Sequence, residues 1–132
     1  MLALLTLAAL PAFDLAAYEK PQVVVSTLAE LEAEQQLWSQ LLGGGLRKRD
    51  HAQLNKILAG LRGTAPFLHK TPPHDLAQIS RRQILRSAVY CRTPDRLHLA
   101  AMEALGVERI LTNDDQQAAA ARALGFGVVL PR

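Results

Sequence analysis

The stretch Arg109-Ile110-Leu111-Thr112, followed by Asn113 to Leu124, Gly125 and then Gly127-Val128-Val129-Leu130, decides how the chain folds. A short β-branched and apolar run reads as a strand, the alanine-rich segment as a helix, and the closing Gly-Val-Val-Leu as a second strand. Gly125 supplies the helix stop. Strand, helix and strand joined by short connections form a right-handed βαβ crossover, which requires a parallel sheet. Upstream, Val23-Val24-Val25 after Pro21 is a third β-branched run, short and fully apolar as a buried strand is. The fold expected is therefore α/β, with helices flanking a small parallel sheet.

The helices follow from their start and stop signals. Ser26 and Thr27 offer N-caps to a helix over Leu28 to Leu42, with Leu28, Leu31, Gln35, Leu37, Trp38 and Leu41 as its apolar side; Gly43-Gly44-Gly45 stops it. Arg47 to Arg62 is a basic amphipathic helix with Leu54, Ile57, Leu58 and Leu61 on one face. Ala65 to His69 reads as a short edge strand, although Pro66 cannot donate to a ladder. A helix is expected from about His74 to Tyr90, and another from Thr93-Pro94 through Leu105 to the stop at Gly106. Residues 1–19 read as helical, broken at Pro11. The apolar run Met1 to Phe13 lacks the preceding Lys or Arg of a secretory signal and is shorter than a membrane span.

Composition narrows the function classes. With 132 residues, 49% of them hydrophobic and 20% charged, the chain has a globular balance and is sized for one domain, residues 1–132. Fifteen Lys and Arg against twelve Asp and Glu give +3, a mild preference for polyanionic partners. One cysteine, Cys91, excludes an internal disulfide and a Cys-rich zinc site, which fits a reducing, cytoplasmic setting. Walker-type, GxGxxG and HExxH motifs and a Ser-His-Asp arrangement are all missing.

Ligands of open parallel sheets sit outside the carboxyl ends of the strands; two acids fall there, and a third opens a helix. Glu30 lies five residues past Val25, Asp114 two residues past Thr112, and Asp95 opens the helix that begins at Thr93-Pro94. Singly, each acid reads as a helix-terminus residue that complements the macrodipole. Together, carboxylates converging on one crevice call for a hard cation, Mg²⁺ or Mn²⁺, and such sites cleave phosphodiesters. His98, three residues after Asp95, reads as a packed helix residue. Arg47-Lys48-Arg49, Lys56 and Arg62, with Arg81, Arg82 and Arg86, are candidates to follow an RNA backbone, although a solvated face explains each of them singly. Trp38 and Phe67 read as core or dimer-interface packing.

The segment Arg92-Thr93-Pro94-Asp95-Arg96-Leu97-His98-Leu99-Ala100-Ala101 and, 19 residues from Asp95 to Asp114, Ile110-Leu111-Thr112-Asn113-Asp114 resembles the C-terminal half of a PIN domain. Val23-Val24-Val25-Ser26-Thr27-Leu28-Ala29-Glu30-Leu31-Glu32 resembles the family's second strand and the helix bearing its acid, and the match runs over about residues 21–131. The resemblance implies a three-layer α/β/α fold and a Mg²⁺- or Mn²⁺-dependent endoribonuclease. Many bacterial members are VapC-type toxins, neutralised by a small antitoxin and often dimeric. It assigns metal binding to Glu30, Asp95 and Asp114, a water-holding role to Thr112 and Asn113, and an auxiliary role to Asp115. The family also begins with a strand ending in an Asp, and no such motif precedes Val23. Thr6 and Asp14 are poor substitutes, since Asp14 is only 16 residues before Glu30. The expectation is a truncated or degenerate member. Two readings follow: a toxin-like ribonuclease, or a PIN-fold module that binds antitoxin or RNA without cutting.

Overall fold

The computed structural model describes residues 23–64 and 67–130. The expected helices of residues 1–19, with Thr6 and Asp14, lie outside the described residues, as do Ala65 and Pro66 at the head of the edge strand. In chain order the elements are β1 (Val23–Ser26), α1 (Thr27–Leu42), α2 (Lys48–Gly60), β2 (Phe67–Lys70), α3 (Leu76–Arg86), α4 (Thr93–Leu105), β3 (Arg109–Leu111), α5 (Asp115–Ala123) and β4 (Gly127–Val129). The chain is mixed α/β, with parallel strand pairs.

The sheet differs from the expected one. Instead of a single sheet, the described strands form two parallel ribbons, β1 with β2 and β3 with β4. Val23 faces Phe67 across the first ribbon, and Arg109 faces Gly127 across the second. A run such as Val23–Val25 specifies burial, which it attains, but burial does not choose a hydrogen-bonding edge. The ribbons communicate through side chains. Successive residues of a strand point to opposite faces, so Ile110 joins a core with Leu99, Met102, Ala120 and Ala121, while Leu111 joins Val23, Val25, Ala33 and Leu58. One helix set, α4 and α5, covers the first face, and α1 and α2 cover the second.

Local chemistry accounts for the helix limits. The Ser26 hydroxyl accepts the Ala29 N–H at 3.1 Å and caps α1. That helix buries Ala29, Ala33 and Leu37, and leaves Leu31 and Trp38 about half exposed. The stripe is rotated from the expected one because the small alanines let α1 approach β1 and α2 closely. Trp38 tilts against His51 of α2, with ring centroids 6.2 Å apart. Helix α3 stops at Arg86, short of Tyr90: Ser87 turns extended, and its hydroxyl accepts the Val89 N–H at 3.2 Å. Between α3 and α4 the buried Gln83 donates through Nε2 to the Leu99 carbonyl at 3.1 Å.

Gly106 closes α4 in the left-handed region, at φ +69°, and a Cβ built there meets no atom within 4 Å. Gly106→Ala is therefore expected to destabilise the protein through backbone strain alone, by about 1–2 kcal/mol. A urea titration checks this, and unchanged stability contradicts it.

Candidate functional site

Asp95 sits in the first turn of α4 with its side chain 1% exposed. Its Oδ2 accepts from Arg92 Nε at 3.1 Å, whereas Oδ1 is buried with no hydrogen-bond partner among the described residues. Asp114 arrives from the turn after β3 and caps α5, its Oδ1 accepting the Gln117 N–H at 3.0 Å. Its other oxygen, Oδ2, lies 3.5 Å from Arg92 Nη2. One guanidinium thus joins two carboxylates that the sequence separates by a helix and a strand. Their negative charge and the hydrogen bond to Asp95 raise Arg92 above its ordinary range, so it stays charged.

Glu32 is a further acid bonded to α4, beyond the three that the sequence singles out. Its Oε2 accepts from Nε2 of the fully buried His98, and its charge also acts on Arg92. His98 lies one turn after Asp95 on α4, so the Glu32–His98 bond ties α1 to the acid-bearing end of α4. Glu30, expected as the metal ligand, has other partners. Arg62 donates to it at 2.6 Å, and His69 Nε2 lies 3.3 Å away, within ion-pair range but without hydrogen-bond alignment. Residues two apart on a helix diverge by about 200°, so Glu30 and Glu32 leave opposite flanks of the Ala29–Ala33 stripe. An i, i+3 match of Asp95 with His98 was the available signal for Glu32: a buried histidine needs a partner.

The remaining candidates have modest roles. Thr112 is buried, and its Oγ1 accepts the Asp114 N–H at 3.0 Å, shaping the turn that presents Asp114. Asn113 and Asp115 are exposed at the start of α5. Cys91 packs in the core, where burial pushes its thiol up and keeps it neutral. Arg86 pairs with Glu103 at 3.0 Å, Arg49 lies 3.7 Å from Asp50, and Lys48, Lys56, Arg81 and Arg82 are exposed. No three His, Cys, Asp or Glu side chains among the described residues form a group that could hold a metal ion. The same residues include no helix long and apolar enough to cross a membrane. No family model matches the chain, and neither does any curated protein.

The Glu32–His98 bond carries a pH signature. Hydrogen bonding from His98 holds the Glu32 carboxyl below its ordinary value of 4.5, against the opposing effect of burial. A carboxyl depressed in the folded state adds stability above the unfolded value, and that stability is lost as pH falls through the folded one. Below pH 4.5 the native protein should therefore lose stability more steeply than Glu32→Gln. Denaturant midpoints at several acidic pH values measure the difference, and parallel curves would contradict it.

Proposed function

We propose that the chain is a metal-dependent endoribonuclease of the PIN type, with Asp95 and Asp114 as its acids. One observation carries the reading: Asp95 and Asp114 converge on a single cation, while the second oxygen of Asp95 is buried with no partner among the described residues. Such an arrangement requires positive charge. Arg92 provides it here, yet the Arg92 side chain is 63% exposed on a long flexible stem, so it has room to swing aside. The donor set, all carboxylate oxygen, fits Mg²⁺ or Mn²⁺. Bound by Asp95 and Asp114, such an ion would supply an acidified water and neutralise non-bridging phosphate oxygens.

The chain's own residues then have definable tasks. Thr112 fixes the turn that aims Asp114, and His98 holds Glu32 toward α4. Arg92, released from the acids, is placed to pair with a phosphate of the incoming strand. The exposed cations of α2 and α3 supply non-specific attraction to RNA, which salt should weaken. A VapC-like toxin role, with a small antitoxin as partner, self-association into a dimer and a three-layer α/β/α arrangement, belongs to the same proposal. The ion pairs of Arg92 also favour a second reading, a module that binds RNA or antitoxin without cutting it.

Incubation with single-stranded RNA in Mn²⁺, Mg²⁺ or EDTA separates the two. Cleavage that needs the metal supports the enzyme. In Arg92→Gln, removal of a cation within 3.5 Å of both acids should tighten Mn²⁺ binding by roughly tenfold, read by calorimetry. Absence of cleavage in both proteins, with either metal, leaves the binding module.

A further inference from the structure

A cavity of about 480 Å³ opens between α3 and α4, and it is lined by Ser80, Ile84, Val89, Cys91, Arg96 and Leu97 among others. Its volume is within the range of small-molecule sites. Arg96 is only 6% exposed, and its guanidinium is held by two neutral acceptors, Gln83 Oε1 at 3.5 Å and the Val89 carbonyl at 3.2 Å. Among the described residues no carboxylate forms an ion pair with it. A buried cation without a counterion is costly, and a guanidinium holds more N–H donors than these two acceptors use. A second observation is independent of the first. The hydroxyl of Ser80, a residue 8% exposed, is buried with no hydrogen-bond partner among the described residues.

We propose that this cavity binds a small organic monocarboxylate with an apolar body, its head between Arg96 and Ser80 and its tail along Ile84, Val89 and Leu97. Ile84 and Tyr90 stand largely exposed at the rim, apolar surface that such a tail covers. One buried charge is matched by one negative charge, which favours a carboxylate over a phosphate dianion. Two parallel N–H donors of a guanidinium also suit a carboxylate geometrically. The neutral Cys91 thiol in the wall does not repel the anion.

Titration of the full chain with octanoate, octanol and octylamine, followed by calorimetry, tests the assignment. Octanoate should bind about tenfold or more tightly than octanol, the gain expected of a hydrogen bond to a charged group, and octylamine should not bind. Ala77→Trp, at an exposed position of α3 lining the cavity, should weaken octanoate by about tenfold or more while the urea midpoint stays unchanged. In Arg96→Gln the preference for octanoate over octanol should vanish. Since Arg96→Gln removes a buried group and risks misfolding, the Trp variant keeps the test decisive. Equal binding of octanol and octanoate to the native chain, no binding of octanoate at millimolar concentration, or full octanoate affinity in Ala77→Trp would each overturn the proposal. None of these readouts depends on RNA cleavage.

Discussion

Asp95→Asn is expected to reduce Mn²⁺-dependent RNA cleavage by more than about a hundredfold, beyond the 10–100-fold typical of residues that merely support a metal ligand. The change is nearly isosteric and removes only the charge. Asp95 is almost fully buried, with one oxygen on Arg92 and the other without a partner among the described residues, so the native carboxylate is retained at an electrostatic cost. An amide in its place relieves part of that cost, and the urea midpoint should fall little. Loss of activity with retained stability is the signature of a side chain kept for chemistry. Asp114→Asn should act in the same direction, because asparagine preserves the cap on α5. Steady-state cleavage at saturating Mn²⁺, alongside denaturation of the same preparations, reads both quantities. A variant that cleaves as fast as the native chain sinks the assignment of Asp95 to the site.

Leu99→Ala is expected to cost about 3–5 kcal/mol, the range for a fully buried leucine whose surroundings collapse only partly into the space left behind. Leu99 is 0% exposed and packs with Met102, Ile110 and Ala121, so the void falls where α4, β3 and α5 meet. Relative to a total stability of about 5–15 kcal/mol, the loss is large. Chemical denaturation should show a lower midpoint with an unchanged slope, since the surface exposed on unfolding is nearly the same. A loss below about 1 kcal/mol, the size of an exposed substitution, would mean that the cluster around Ile110 is not a close-packed core.

The C-terminal third was legible in the sequence because every boundary carries a local cause. Pro94 at the start of α4, Gly106 in the left-handed region and the Asp114 cap each act within a few residues of themselves. Where partners lie far apart in sequence, legibility fell. Val23–Val25 announced a buried strand, but its pairing with Phe67–Lys70 rather than with β3 is a tertiary outcome. The apolar side of α1 was read from leucines and Trp38, whereas alanines 29 and 33 face the core, where close approach matters more than side-chain size. Asp114 follows β3 and Asp95 opens α4, positions that the sequence marks locally. Which partners Glu30 and Glu32 meet depends on the rotation of α1, and that rotation is set by tertiary contacts that no spacing within the helix encodes.

The docking of Trp38 against His51 gives the molecule an internal optical gauge. The chain has one tryptophan, so its emission has a single source, and the ring beside it belongs to a different helix. Separation of the two helices should therefore change the emission, with no dye attached.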